Sequence, residues 1–188
     1  MFNHFDQIAP IYERLIPPPD AKALSGLLEL KSEHVLLDAA GGTGRVAGLF
    51  AASIARAIVC DTSPRMLELA RSKGFETIQT EVENLPFSDA TFDRILLVDA
   101  FHHVRDQPAA LQELLRVLKP SGRLVIEEPD VRRLIVKVVA LLEKLFLMRS
   151  HFKFPATMLK MIIKAGGDPL LARADCFRVW IVVLKKKQ

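Results

Sequence analysis

Two acids, a run of glycines and a pair of histidines are the residues of this chain whose types and spacing could do chemistry. Asp38 ends an apolar run and opens the loop Ala39-Ala40-Gly41-Gly42-Thr43-Gly44. Glycines at a strand-to-helix turn let the backbone bend tightly and let a ligand lie against bare amides at a helix start. Alone, the loop is ambiguous, because Gly42-x-Gly44-x-x-Ala47 also satisfies the dinucleotide fingerprint. Asp38 at its mouth would repel a pyrophosphate and favour a ligand carrying ammonium or sulfonium cations; the structural alternative is an acid capping the following amides. Asp61, 17 residues beyond Gly44, ends the next apolar run. An acid there accepts hydrogen bonds from ribose hydroxyls in either ligand class. His102-His103 follow the fourth apolar run. Histidine titrates near neutrality and can take a proton from a bound substrate. The alternative for this pair is one ring packed under its loop and the other capping the next helix.

These residues sit on a regular alternation of elements. HVLLDA (34–39), AIVCD (57–61), 75–79, DRILLVDA (93–100) and RLVIEE (123–128) read as buried strands, with extended pieces at 170–175 and 177–184. Helices are predicted over 45–53, 63–73 with Ser63 as N-cap and Pro64 in the first turn, 107–118 closed by Pro120 and Gly122, and 155–165 ended by Gly166-Gly167. A long helix should follow Pro129. Strand and helix in this order mean an α/β fold, a doubly wound, mostly parallel seven-stranded sheet with helices on both faces. With no repeat or linker in view, one domain over 1–188 is expected, with a helical lid over 1–30 and a helical substrate-side segment over 130–166.

Composition narrows the classes. Of 188 residues, 50% are hydrophobic and 26% charged, ordinary globular usage. The net charge of +4 and pI of about 9.2 read as a solvated surface rather than a nucleic-acid footprint. Cys60 and Cys176 lie far apart, without metal or redox spacing, so a reduced, cytoplasmic protein is expected. The N-terminus carries Asp6 and Glu13 and lacks the basic and apolar regions of a signal peptide. No 18-residue apolar run is present. Lys185-Lys186-Lys187 reads as a solvated tail, Asp89 and Asp93 as turn and strand-entry residues, and Leu114, Leu115, Val117 and Leu118 as core.

At VLLDAAGGTGR, CDTSPRML, ENLPFSDATFD and LLRVLKPSGRLVIEEP, in this order and spacing, the chain resembles the class I S-adenosylmethionine (AdoMet) dependent methyltransferases. It is most similar to their ubiquinone and menaquinone biosynthesis C-methyltransferase branch: the AGGTG loop, the N-terminal FDQIAPIYERL and the Phe154-Pro155 helix start point there. The resemblance is strong over 34–128 and looser after 130, where acceptor choice should reside. It implies an antiparallel last strand and AdoMet as cofactor. Asp38, Ala40, Gly42 and Gly44 would floor the methionine part, Asp61 hold the ribose and Thr62 lie beside the adenine. Glu81 and Val82 stand where the family has an Asp-Ala pair touching the adenine edge. Asp99 would face the methionine end, and Tyr12 would sit on an N-terminal helix folded over the cofactor. Ala40 replaces the usual glycine, and Thr62 a usual apolar residue.

His102 is the candidate general base, since the loop after the fourth strand is where this fold places groups that touch the acceptor. Methyl transfer needs little more than positioning, so the lack of a triad or metal cluster does not argue against an enzyme. Over 131–148, Arg132, Arg133, Lys137, Glu143 and Lys144 fall within a stripe of about 140° and leave a wide apolar face. Part of that face packs on the sheet; the rest suits a greasy, lipid-like or quinol acceptor, or peripheral contact with a membrane surface. The alternative is an AdoMet-binding pseudo-enzyme that regulates or assembles with a partner. Nucleic acid is not the expected substrate: after the fourth strand stands Asp99-Ala100-Phe101-His102, not the Asn-Pro-Pro-aromatic signature of base amino-methylation, and no Pro-Cys nucleophile is present.

Overall fold

Alternate residues of a strand face opposite sides of its sheet, and here both sides are apolar. In the computed structural model, which describes residues 6, 7, 9, 12–15, 19–134, 136, 137, 150–174 and 177–185, seven strands form one sheet in the order β3-β2-β1-β4-β5-β7-β6. They are β1 (Val35–Ala39), β2 (Arg56–Asp61), β3 (Glu76–Gln79), β4 (Phe92–Val98), β5 (Leu118–Pro129), β6 (Gly167–Ala174) and β7 (Arg178–Lys185). β1 to β5 pair in parallel, and β7 runs antiparallel to both β5 and β6. The doubly wound sheet with its antiparallel last strand is therefore present. Among the described residues no helix is long and apolar enough to cross a membrane.

Among the described residues, helices with defined bounds are α1 (Tyr12–Leu15), α2 (Ala21–Leu28), α3 (Pro64–Ser72), α4 (Gln107–Val117) and α5 (Pro155–Lys164). One face of the sheet, with Leu37, Ala39, Ile58, Ile95, Leu97 and Ile126, is covered by Leu111, Leu114 and Leu115 of α4 and Met158 and Ile162 of α5. The other face presents Leu36, Leu96 and Val125 to Leu24 and Leu28 of α2, and Val59 to Leu67 and Ala70 of α3. Burying side chains of this size contributes roughly 1.5–3 kcal/mol each. Asp38 falls on this second face with Leu36, paired in register with Val59 and Leu96. Strand parity thus carries a carboxylate into an otherwise apolar layer. Cys60 is buried, and burial pushes its thiol up to about 12, so it serves as a small core residue.

Helix starts follow their sequence signals. Ser63 caps α3 by accepting from the Met66 amide at 3.1 Å, with Pro64 in the first turn; Asp106 caps α4 through the Ala109 amide at 3.0 Å. The helix predicted over 45–53 is instead two short 3-10 turns, Ala47–Leu49 and Ala51–Ser53. The Leu49 and Phe50 amides donate to the Val46 and Ala47 carbonyls, three residues back, at 3.1 and 3.0 Å, and Gly48 favours helix weakly. β5 begins at Leu118, directly after α4, with a register shift against Phe92 and Arg94. Just past β5, Asp130 accepts from the Arg132 amide and side chain and so fixes the turn out of the sheet. Most of the amphipathic segment expected over 131–148, Cys176, and Lys186-Lys187 of the basic tail lie outside the described residues.

Candidate functional site

The carboxyl ends of parallel strands leave a crevice where the chain turns away in opposite directions. A cavity of about 170 Å³ lies there. Along the strand order its wall runs from Thr80, Glu81, Val82 and Glu83 past β3, through Asp61 and Thr62 at the end of β2 and Met66 of α3, to Asp38, Ala40, Gly41 and Gly42 past β1. It ends on Arg45 and Val46, on Val98, Asp99 and Ala100 past β4, on His103, Val104 and Arg105, and under Tyr12. Nine of the expected residues meet here: Tyr12, Asp38, Ala40, Gly42, Asp61, Thr62, Glu81, Val82 and Asp99.

The floor is shaped by its glycines. A Cβ on Gly41 would stand 2.5 Å from Asp38 Cγ, so only glycine lets the loop close over that carboxylate. Gly42 has φ +56° and aims its amide at Asp61 Oδ2, 2.9 Å away. Gly44 does not line the cavity. It has φ +70°, and a Cβ there would meet the Phe75 ring at 2.8 Å, so its part is to let the loop pack on Phe75. Ala40 adopts φ +51°, a left-handed conformation that costs a non-glycine residue roughly 1 kcal/mol. Asp99 also has positive φ, +54°, and its amide donates to the Glu127 carbonyl at 2.8 Å.

The acids differ in their surroundings. Asp38 is 1% exposed; Oδ2 accepts the Ala47 amide at 3.1 Å. The capping role and the place on the cavity wall are both real. Burial pushes its carboxyl up to about 7, against the opposing pull of the Ala47 amide and the Arg45 charge. Asp61 accepts from Gly42 and, at 2.8 Å, from Ser63; burial raises its carboxyl and these amides hold it back. A carboxylate has about four lone-pair sites, so accepting capacity remains for ribose hydroxyls. Tyr12 is raised, first by burial and then by Asp99, while a hydrogen bond with Arg45 lowers it; the Arg45 guanidinium lies 6.0 Å from the Tyr12 ring centroid.

The N-terminal residues are tied over the loop by two acids. Glu13 Oε1 accepts from Thr43 Oγ1 at 2.5 Å and from Lys73 Nζ, and that ammonium also donates to the Thr43 carbonyl at 3.0 Å. Asp6 Oδ1 accepts from Ser63 Oγ at 2.5 Å. These bonds set Tyr12 above the cavity.

The two histidines separate. His102 is 2% exposed and stands behind the wall; its Nδ1 is 2.8 Å from Glu128 Oε2 and its ring stacks on Phe152 at 4.2 Å. His103 is the ring on the cavity wall. Burial, followed by the neighbouring His102, pushes His103 down to about 3, so it is neutral at physiological pH. Sequence reasoning left out Gly41, Arg45, Met66, Glu83 and Arg105. Gly41 was visible in the glycine run itself, whereas Arg45 and Met66 needed the turn of the loop and of α3. Among the described residues no cluster of His, Cys, Asp or Glu could hold a metal.

A seven-stranded sheet of this order, a glycine loop after β1, an acid ending β2 and an acid after β4 define a class I, Rossmann-like methyltransferase domain, whose cofactor is AdoMet. A family model described as a methyltransferase domain matches residues 37–126, which places that stretch in this family, near its ubiquinone and menaquinone branch. The demethylmenaquinone methyltransferase of Corynebacterium efficiens is 29% identical over 81% of this chain and 64% of its own length. The ubiquinone/menaquinone biosynthesis C-methyltransferase UbiE of Enterobacter is 36% identical over 50% of this chain and 42% of its own. The chain thus spans about half the length of the curated relatives it matches. Among solved structures, a SAM-dependent methyltransferase of Thermotoga maritima is 27% identical, with TM-score 0.78 over 97% of this chain and 98% of that one.

Proposed function

We propose that this chain transfers a methyl group from AdoMet to a small quinol-like acceptor. The observation that carries the reading is the charge pattern of the cavity: Asp38 and Asp99 at the β1 and β4 ends, with Arg45 beside them, and Asp61 at the β2 end. Bound there, AdoMet would supply a methyl already activated on a sulfonium. Asp61 fits the ribose, and Glu81 and Val82 fit the adenine edge, with Thr62 beside the ring. Asp38 and Asp99 fit the ammonium and sulfonium, and Arg45 fits the carboxylate. A dinucleotide would instead bring its pyrophosphate against the buried Asp38.

The acceptor side is formed by Val98, Ala100, His103 and Val104 with Tyr12 above. Its apolar walls suit an aromatic or quinol ring, and the names of the relatives support a quinone-type substrate. A neutral His103 orients the acceptor hydroxyl by a hydrogen bond and relays the proton released on methylation; His102 acts behind it rather than on the substrate. Placement in line supplies most of the acceleration. Titration calorimetry with S-adenosylhomocysteine (AdoHcy) and NADH, followed by mass spectrometry of demethylated quinols incubated with AdoMet, tests the reading. AdoHcy should bind and the quinol should gain one methyl. NADH binding tightly with AdoHcy silent would overturn it.

A further inference from the structure

Three donors from one turn converge on a single carboxylate. Glu128, 4% exposed near the end of β5, accepts the Ala100 amide at 3.1 Å and the Phe101 amide at 2.8 Å through Oε1. Its Oε2 faces His102 Nδ1 at 2.8 Å. A carboxylate accepts and does not donate, so the proton of this bond belongs to His102 Nδ1. The neighbouring Glu127 points to the opposite face, where Trp180 Nε1 donates to it at 2.7 Å and Arg178 pairs with it at 2.6 Å. Strand parity therefore assigns one acid to the sheet and the other to the turn.

The far side of the turn is held as firmly. The His102 carbonyl accepts the His151 amide at 2.6 Å, and Gln107 Nε2 donates to the Phe101 and His151 carbonyls, both at 2.9 Å. The His102 ring lies between Phe152, stacked at 4.2 Å, and His103, tilted 49° with centroids 4.0 Å apart. Ser150 Oγ approaches His103 Nδ1 at 3.4 Å. His102 is thus packed between a fixed carboxylate and the ring that lines the cavity. Any turn or shift of His102 would displace His103.

We propose that Glu128 is a positioning residue for the acceptor side of the cavity: it locks the His102 ring as the Nδ1–H tautomer and thereby sets where His103 stands. The assignment rests on the reading that His103 meets the acceptor. Glu128→Gln separates it from a plain structural brace. The amide oxygen of Gln can still accept the Ala100 and Phe101 amides, while its NH2 would face His102 Nδ1 and drive the ring proton to Nε2.

The test is 15N-histidine NMR of the full chain with AdoHcy. In the wild type, His102 Nδ1 should resonate as a protonated, pyrrole-type nitrogen and Nε2 as a pyridine-type one. In Glu128→Gln the two types should exchange, the His103 signals should shift, and the Ala100 and Phe101 amides should stay protected from hydrogen exchange. His102→Phe, which keeps the stack on Phe152 and removes the donor, should shift His103 as well, and serves if Glu128→Gln does not fold. A wild-type His102 protonated on Nε2, or His103 signals unmoved in the folded variant, would overturn the proposal. Loss of AdoHcy binding by the wild type would instead overturn the cofactor reading, and the tautomer can still be measured on the free protein.

Discussion

Asp38→Asn should make the ligand-free protein more stable and the cofactor bind more weakly, and the first effect should depend on pH. Asp38 is fully buried, and its carboxyl titrates at about 7 against an ordinary 3.8. Between those values the folded chain keeps a proton that the unfolded chain has released, so stability falls as pH rises across that window and levels off above it. About three pH units at 1.36 kcal/mol each give about 4 kcal/mol as the ceiling. The amide of the Asp38→Asn variant would carry no such term, and its oxygen can still accept the Ala47 amide. Urea denaturation of the free proteins should show the variant gaining roughly 2–4 kcal/mol over wild type at pH 8, under half of that at pH 5 and little at pH 4. In calorimetry the variant should lose roughly 1–3 kcal/mol of AdoHcy affinity, the scale of a charge-assisted hydrogen bond. A stability difference equal at pH 5 and pH 8 would refute a carboxyl held protonated by burial. An unchanged affinity would refute its role toward the ammonium.

Asp61→Ala should weaken AdoHcy binding by roughly 1.5–3 kcal/mol, with Asp61→Asn in between, since one oxygen remains to accept; unchanged affinity in a folded Ala variant would free Asp61 from the ribose. Ala40→Gly should raise stability by roughly 1 kcal/mol in chemical denaturation, because φ +51° suits glycine, and a loss of stability would mean that the Ala40 methyl packs usefully. His103→Ala should lower turnover of a quinol acceptor roughly 10–100-fold while sparing AdoHcy affinity. With His103 at about 3, the wild-type rate at saturating AdoMet should stay level from pH 8 to pH 5; a fall centred near 6.5 would point to an unperturbed histidine instead.

What the sequence makes legible is what neighbouring residues decide. The apolar run Leu36–Ala39 with its glycines, the Ser63-Pro64 helix start and the acid ending β2 are local patterns, and each meets its expectation because nothing distant competes with it. The helix expected over 45–53 is met only as two 3-10 turns around Gly48, with the Leu49 and Phe50 amides donating three residues back. The histidine pair is divided by contacts from farther along the chain. On the 3-10 turn Phe101–His103, successive side chains point about 120° apart, so one of two adjacent rings must turn from the cavity. No periodicity says which. The choice belongs to Glu128, 26 residues away in sequence, and to Phe152 beyond it, and neither residue type nor spacing pairs them with His102. The cofactor end of the cavity is written on short loops after consecutive strands and can be read from the chain. The proposed acceptor end is lined by the loop after β4, which β5 and the return of the chain at 150–152 brace from behind. The placing of that loop therefore depends on contacts that only the folded structure brings together.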